Sequence, residues 1–181
     1  DCIKMAIDQL IPQKPDLILS GINHGSNSSI NVIYSGTASA AIEGAILNVP
    51  SIAFSVLEYG FNIDFTQYQP HITTIVQQVL QHGIPQHTCL NVNIPFIKKE
   101  QIKGIRICRQ AIGHWVEEYE QRTDPSNKQY YWLTGRYVNM DHQNDTDEWA
   151  LENNYISIVP VTTDFTAHHA IPELKKWNLN E

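Results

Sequence analysis

Hydrophobic and polar positions follow two alternating periods along the first half of the chain. Ile3, Ala6, Ile7 and Leu10 recur at the spacing of one helix face, and Pro12 and Pro15 stop the helix they predict over residues 2–10. Leu17-Ile18-Leu19 is a short apolar run between Pro15 and Gly21, which predicts a β-strand over Asp16–Ser20. Residues 21–35 break the pattern with Gly, Ser and Asn and read as a loop. Helical spacing returns at Gly36–Leu47, where Ala38, Ala40, Ala41, Ile42, Ala45 and Ile46 are good helix formers or face a core. Ser35 or Thr37 can cap this helix, and Asn48-Val49-Pro50 ends it. Ser51–Val56 is a second strand. Residues 66–82 form a helix with Ile72, Ile75, Val76, Val79 and Leu80 on its apolar face. Cys89–Ile94 is a third strand, closed by Pro95. Helices alternating with apolar strands predict an α/β fold: a parallel sheet, helices on its faces and right-handed crossovers.

After residue 100 the texture changes. Ile105, Ile107 and Arg109 predict a strand. Trp115, Tyr119, Tyr130, Tyr131, Trp132, Tyr137 and Trp149 make an aromatic-rich stretch in which Gln129–Val138 reads as a β-hairpin arm or an extended strand. Asn139–Glu148 is polar, Tyr155–Val161 alternates as a strand, and residues 170–177 predict a closing helix. Two parts follow: residues 1–100 as a partial Rossmann-like α/β domain carrying the polar loop, and residues 101–181 as a β-rich arm and closing segment suited to oligomerisation.

The 181 residues are 42% hydrophobic and 17% charged, which suits a packed domain. Net charge is -7 with no basic run, which argues against a nucleic-acid polymer or a membrane surface as partner. No apolar run approaches the roughly 20 residues of a membrane helix. Cys2, Cys89 and Cys108 form no C-x-x-C pair and read as reduced thiols of a cytoplasmic protein. The chain starts Asp1-Cys2-Ile3-Lys4, without Met and directly in a helical pattern, which predicts a fragment with an upstream part.

The polar loop is costly to order, because Gly and Ser lose much freedom and bury little. A ligand would offset that cost. The loop follows a strand end, where α/β sheets bind ligands, and leads into a helix beginning Ser35-Gly36-Thr37. A helix N-terminus offers unpaired N–H groups and a positive dipole end, so this turn predicts a phosphate cradle. Asn23 and Asn27 add amide oxygens suited to Mg2+ or Mn2+ and amide nitrogens suited to phosphate. The spacing is not that of a Walker loop. The plain alternative is a helix cap and turn asparagines with no ligand.

Pro15-Asp16-Leu17-Ile18-Leu19-Ser20-Gly21-Ile22-Asn23-His24-Gly25-Ser26-Asn27, followed by Tyr34-Ser35-Gly36-Thr37-Ala38-Ser39-Ala40-Ala41-Ile42-Glu43-Gly44, resembles the signature of the SurE family, the stationary-phase survival proteins. Asn91-Val92-Asn93-Ile94-Pro95, Tyr130-Tyr131-Trp132-Leu133-Thr134-Gly135, Asp145-Thr146-Asp147 and Tyr155-Ile156-Ser157-Ile158-Val159-Pro160 are similar to that family too, in its order. The resemblance implies a Rossmann-like three-layer sandwich with a parallel sheet, a β-rich hairpin arm and a C-terminal helix. It implies a 5'-nucleotidase acting on nucleoside monophosphates and other phosphomonoesters with one divalent cation, Mg2+ or Mn2+. It makes Asn23 the metal-ligand asparagine and places Asn27, Ser35, Gly36 and Thr37 on the phosphate. It implies a homodimer or homotetramer built through the arm.

The departure from the family is an opening strand ending in Asn-Asp-Asp-Gly, whose aspartates bind the metal, together with a metal-ligand serine further along. Neither is found in these residues. The resemblance therefore implies that roughly 70 residues, with the N-terminal strands of the sheet, precede Asp1. It also leaves the catalytic residues unassigned and this chain with little activity of its own. The second reading is a non-catalytic phosphate-binding or oligomerisation module. His24 stands where the family often has Arg, and reads as a surface residue ahead of a contact to phosphate or base. His168-His169 do not share one helix face and read as a tail or dimer contact. Asp141, Asp145, Asp147 and Glu148 read as a solvated acidic turn rather than a calcium loop. Trp115, Tyr130, Tyr131 and Trp132 read as subunit-interface aromatics ahead of nucleobase stackers.

Overall fold

A computed structural model describes residues 1–60 and 62–179. Its strands are β1 (Ile18–His24), β2 (Ser51–Val56), β3 (Thr88–Ile94), β4 (Ile105–Ile107), β5 (Gly113–Thr123), β6 (Gln129–Asn139) and β7 (Ile156–Thr162). Its α-helices are α1 (Cys2–Met5), α2 (Gly36–Ile46), α3 (Gln69–His82), α4 (Asp147–Glu152) and α5 (Ile171–Leu174). A wider helical turn over Ala6–Leu10 continues α1, so the first helix spans the residues its apolar spacing predicts.

Among the described residues, one sheet has the order β1-β2-β3-β7-β4 and a separate sheet pairs β5 with β6. β1, β2 and β3 run parallel, and β4 runs parallel to β7. β7 is antiparallel to β3, with Asn93 opposite Ser157 and Thr88 opposite Thr162. The three strands whose alternation with helices predicts a parallel sheet are parallel, and the sheet becomes mixed where the second half of the chain joins it. The reversal falls between β3 and β4, which are joined by residues 95–104 with a single 3-10 turn over Lys99–Gln101 and no helical crossover. Residues 101–181 supply two strands to this sheet as well as the arm.

The two faces of β2 explain the layers. Ile52, Phe54 and Val56 face one way and pack with Val92, Ile94, Ile156 and Ile158 against Ile75 and Val79 of α3. Ala53 faces the other way and packs with Cys89 against Ala41 and Ala45 of α2. A strand covered on both faces reads as a continuous apolar run, as β2 does. Leu80 does not belong to this core and is exposed. The last helix is a single turn, because α5 ends at Leu174 with its apolar residues exposed.

The arm is a hairpin of two 11-residue strands, with Gly113 opposite Asn139 and Thr123 opposite Gln129. Sequence predicts its second strand but not its first, since Glu117, Glu118 and Glu120 interrupt the apolar alternation of β5. Both strands stand largely in solvent, so polar residues on either face cost nothing.

α2 lies close to the sheet because Gly44 has no side chain. A Cβ there would stand 2.0 Å from Ser51 Oγ and 2.8 Å from Ile18 Cδ1. Gly-to-Ala changes within helices usually stabilise. Gly44→Ala is expected to do the reverse, by roughly 1–3 kcal/mol of overpacking. Urea denaturation measures the change, and a gain in stability would contradict the packing described.

Candidate phosphate site

β1 runs four residues further than its apolar stretch predicts, and it does so through a bulge. Ser20 lies opposite Ala53 while Asn23 lies opposite Ser55, so β1 carries one residue more than β2 between those pairs. Gly21 makes the bulge possible, with φ of +109° and no room for a Cβ, which would stand 2.3 Å from the Phe54 carbonyl oxygen. Asn23 and His24 thereby come to the carboxyl end of the strand. Asn23 is half-buried, and its Nδ2 donates to the Gly25 carbonyl at 2.9 Å. The His24 ring packs on Phe65 with centroids 5.3 Å apart, at the exposed position expected of it.

The loop after β1 is held from beneath by β2 and β3. On the face of β3 that carries Cys89, the next inward residues are Asn91 and Asn93, both buried. The Asn27 N–H donates to Asn93 Oδ1 at 2.8 Å, and Asn91 Nδ2 donates to the Asn27 carbonyl at 2.8 Å. Asn27 Nδ2 in turn donates to Ser55 Oγ at 2.7 Å. Asn27 is thus a buried residue that fastens the loop to the sheet.

A second set of bonds holds the loop from the side. Asp147, in the first turn of α4, is 0% exposed. Its carboxylate accepts the Ser29 N–H at 2.8 Å, the Ala111 N–H at 2.9 Å and the Glu148 N–H at 2.9 Å. Ser29 Oγ donates to the Ala111 carbonyl at 2.8 Å, and Ser28 Oγ donates to Glu148 Oε1. Burial pushes the Asp147 carboxyl above the usual range, and the three backbone N–H groups oppose that rise. Burial also pushes Glu148 up; the Ser28 hydroxyl opposes the rise and the Asp147 and Glu152 carboxylates add to it.

The acidic stretch is correspondingly not a solvated turn. Arg109 donates to both Asp141 oxygens and, through Nε, to Asp145 Oδ2 at 2.9 Å. That fork holds Asp141 down to about 2, chiefly through the Arg109 hydrogen bonds. Spacing alone could not show that Arg109 sits among these carboxylates.

Beyond the loop, a 3-10 helix over Ser29–Tyr34 leads into α2. Ser35 is the buried N-cap, and its Oγ accepts the Ala38 N–H at 3.0 Å. The Ser35 N–H donates to the Val32 carbonyl at 3.4 Å, and the first regular helix bond runs from the Ser39 N–H to the Ser35 carbonyl at 2.9 Å. Of the four N–H groups that a helix start leaves over, Gly36 and Thr37 then remain as open donors among the described hydrogen bonds. Gly36 is exposed, and a Cβ there would meet nothing within 4 Å. The turn presents two backbone donors at the positive end of an 11-residue helix, with open space at the Gly36 side-chain position.

The family profile described as Survival protein SurE matches residues 1–117. The chain belongs to the SurE family. A protein named 5'-nucleotidase SurE in Flavobacterium psychrophilum is 56% identical over 181 residues, which are 100% of this chain and 70% of that protein. Another so named, in Christiangramia forsetii, is 55% identical over the same extent. The crystal structure of SurE from Aquifex aeolicus is similar with a TM-score of 0.80 at 40% identity, covering 97% of this chain and 71% of that one.

Within this SurE chain the five residues singled out from sequence fall into two groups. Ser35, Gly36 and Thr37 form the helix-end turn. Asn23 is the residue before the last of β1, and Asn27 is a buried residue of the loop. The residues that sequence reasoning passed over as sources of order are Ser55, Asn91, Asn93 and Asp147. Their signal was present, as polar side chains within otherwise apolar strands or beside a helix start, but their partners are 28 to 118 residues away. Cys89 and Cys108 are buried free thiols and Cys2 is an exposed one. Burial pushes Cys89 up to about 11, so it is unreactive at neutral pH. No helix of the described residues is long and apolar enough to cross a membrane.

Asp147→Asn leaves one carboxamide oxygen where two oxygens now take three N–H groups. It is expected to cost about 1–3 kcal/mol and to expose the Ser29 and Ala111 amides to hydrogen exchange. Retained protection at both amides would contradict the role given to Asp147. The Arg109 fork predicts a pH dependence. Asp141 falls from its ordinary 3.8 to about 2 in the folded chain, so its contribution is present above the higher value and lost as pH drops through the lower. The stability difference between the wild type and Arg109→Gln should stay level near neutrality and close as pH falls through that window. Denaturation midpoints across pH check this, and a difference unchanged at pH about 2 would contradict it.

Proposed function

We propose that this chain serves a 5'-nucleotidase, hydrolysing nucleoside monophosphates to nucleoside and phosphate. The observation that carries the reading is the pair of open N–H donors at Gly36 and Thr37, at the head of α2, the helix that follows β1 and its polar loop. In this reading the two N–H groups and the Thr37 hydroxyl hold the phosphoryl oxygens, with the Ser35 hydroxyl proton beside them. The helix dipole stabilises the charge that gathers there during transfer. Asn27 sets the loop's position through Ser55, Asn91 and Asn93. Water attacks phosphorus opposite the 5'-oxygen, the bond to that oxygen breaks, and the proton released ends on the nucleoside. The names of the relatives in Flavobacterium psychrophilum and Christiangramia forsetii support the same activity.

The cofactor belonging to this reading is one Mg2+ or Mn2+ ion, with Asn23 as a ligand. The Asn23 amide oxygen takes no hydrogen bond among the described residues. Those residues also contain no group of three or more His, Cys, Asp or Glu side chains placed to hold a metal. A single neutral amide does not make a Mg2+ site, which draws on carboxylates or phosphates. The described residues do not fit a resident cation by themselves, and turnover by these 181 residues alone is proposed to be low. The reading also includes a cytoplasmic location and a homodimer or homotetramer joined through the arm, where Tyr119, Tyr131, Trp132 and Leu133 are exposed.

Gly36→Pro tests the donor pair directly. Proline is tolerated at the first helical position, Ser35 already has the extended backbone a following proline needs, and a Cβ at Gly36 meets no neighbour. The substitution removes one N–H and leaves the helix. Calorimetric titration with inorganic phosphate should show affinity lower by about tenfold or more, the worth of a hydrogen bond to a charged group. Unchanged affinity would overturn the cradle. Slow release of phosphate from a nucleoside monophosphate with Mn2+, above the uncatalysed rate and lowered by Gly36→Pro, separates this reading from the binding module, which binds without turnover.

A further inference from the structure

We infer that the cleft between the 3-10 helix and the base of the arm is a nucleoside subsite, where a base ring lies against Tyr34 and Trp115. This rests on the phosphate cradle proposed above and names what is attached to the phosphate. The cleft has a volume of about 420 Å³ and is lined by Tyr34, Trp115, Glu117, Leu133, Thr134 and Gly135. That size is in the range of small-molecule sites, and its walls combine apolar and aromatic side chains with few polar groups.

Three observations point to this occupant. The first is position: Tyr34 immediately precedes Ser35, so one wall of the cleft begins at the residue before the cradle. A nucleoside attached to a phosphate on Gly36 and Thr37 would reach the cleft across Tyr34, the residue that lines it next to the helix start. The second is preorganisation. Trp115 is held in place by its indole N–H, which donates to Asn31 Oδ1 at 2.7 Å, and by Tyr137, which meets its ring edge-on at 6.1 Å. Asn31 lies on the same 3-10 helix as Tyr34, so both aromatic walls are fixed to one element. Tyr34 itself is 71% exposed, an aromatic left in solvent beside a site. The third is charge. Glu117 puts a carboxylate on the wall, which favours groups bearing N–H or O–H, such as ribose hydroxyls and base amines, and opposes a second phosphate.

This separates Trp115 from the other arm aromatics. Tyr130, Tyr131 and Trp132 lie further along the hairpin, where Arg122 stacks over the Trp132 ring at 5.0 Å. Only Trp115 shares the cleft with Tyr34.

The 181-residue chain is titrated with adenosine, with ribose 5-phosphate and with inorganic phosphate, following the Trp115 indole N–H resonance and the heat of binding. Adenosine is expected to shift that resonance and to bind. Tyr34→Ala, at an exposed position that the fold does not need, is expected to weaken adenosine by about tenfold while leaving inorganic phosphate unchanged. Trp115→Phe, which keeps a ring, is expected to weaken it less. Phosphate binding without adenosine binding, or adenosine affinity indifferent to Tyr34→Ala, overturns the subsite and leaves the cradle standing. Adenosine binding through Tyr34 without phosphate binding supports the subsite and overturns the cradle. A Trp115 resonance that moves with protein concentration and not with adenosine shows a second copy of the chain in the cleft, and overturns the inference.

Discussion

One buried carboxylate ties the first half of this chain to the second. Asp147 takes the N–H groups of Ser29 and Ala111, residues that belong to the loop before α2 and to the approach to the arm. A charge in an interior is tolerated only where it is paired or richly hydrogen-bonded, and here backbone donors do that work. The loop in turn needs the carboxylate. Ser29 has φ of +51°, a strained conformation for a residue with a side chain, and its N–H and hydroxyl are both bound to the far segment. The position of the cradle therefore depends on residues more than a hundred positions downstream.

This arrangement revises the question of what offsets the cost of so many small polar residues. Much of the offset is internal. Asn91, Asn93 and Ser55 bind the loop from the sheet, and Asp147 and Glu148 bind it from α4. The loop is ordered before any ligand arrives, which is what a binding site requires if affinity is not to be spent on ordering it. A ligand meets only the part left open, the head of α2.

The sequence was most legible where order is local. α2, β2, β3 and the first helix sit within a residue or two of where apolar spacing and proline punctuation put them, because their periodicity and stop signals are contained in the segment. It was least legible where partners are distant. β1 runs on to His24 because β2 lies beside it, not because Gly21-Ile22-Asn23 is a good strand sequence. β5 was hidden by its glutamates, which an exposed hairpin accepts. Asp141 and Asp147 look alike in sequence, yet one is clasped by Arg109 and the other caps backbone N–H groups. At the candidate site, the Ser35-Gly36-Thr37 turn could be read from residue types alone. The inward-facing role of Asn27 could not, since it depends on which face of β3 carries Asn91 and Asn93.

The place of β7 in the sheet also bears on how the chain assembles. β7 is the last strand in sequence, yet it lies between β3 and β4 and bonds to both. During synthesis β1, β2 and β3 can pair while the rest is still being made, but β3 keeps one open edge and β4 has no neighbour until residues 156–162 emerge. Closing that gap requires the whole hairpin to be bypassed, a contact of long sequence separation that folds slowly. For that interval β3 offers an unpaired row of N–H and C=O groups between Cys89 and Ile94. The arm's own pairing is local and fast, so it can form early and bring β7 back within reach of the edge that waits for it.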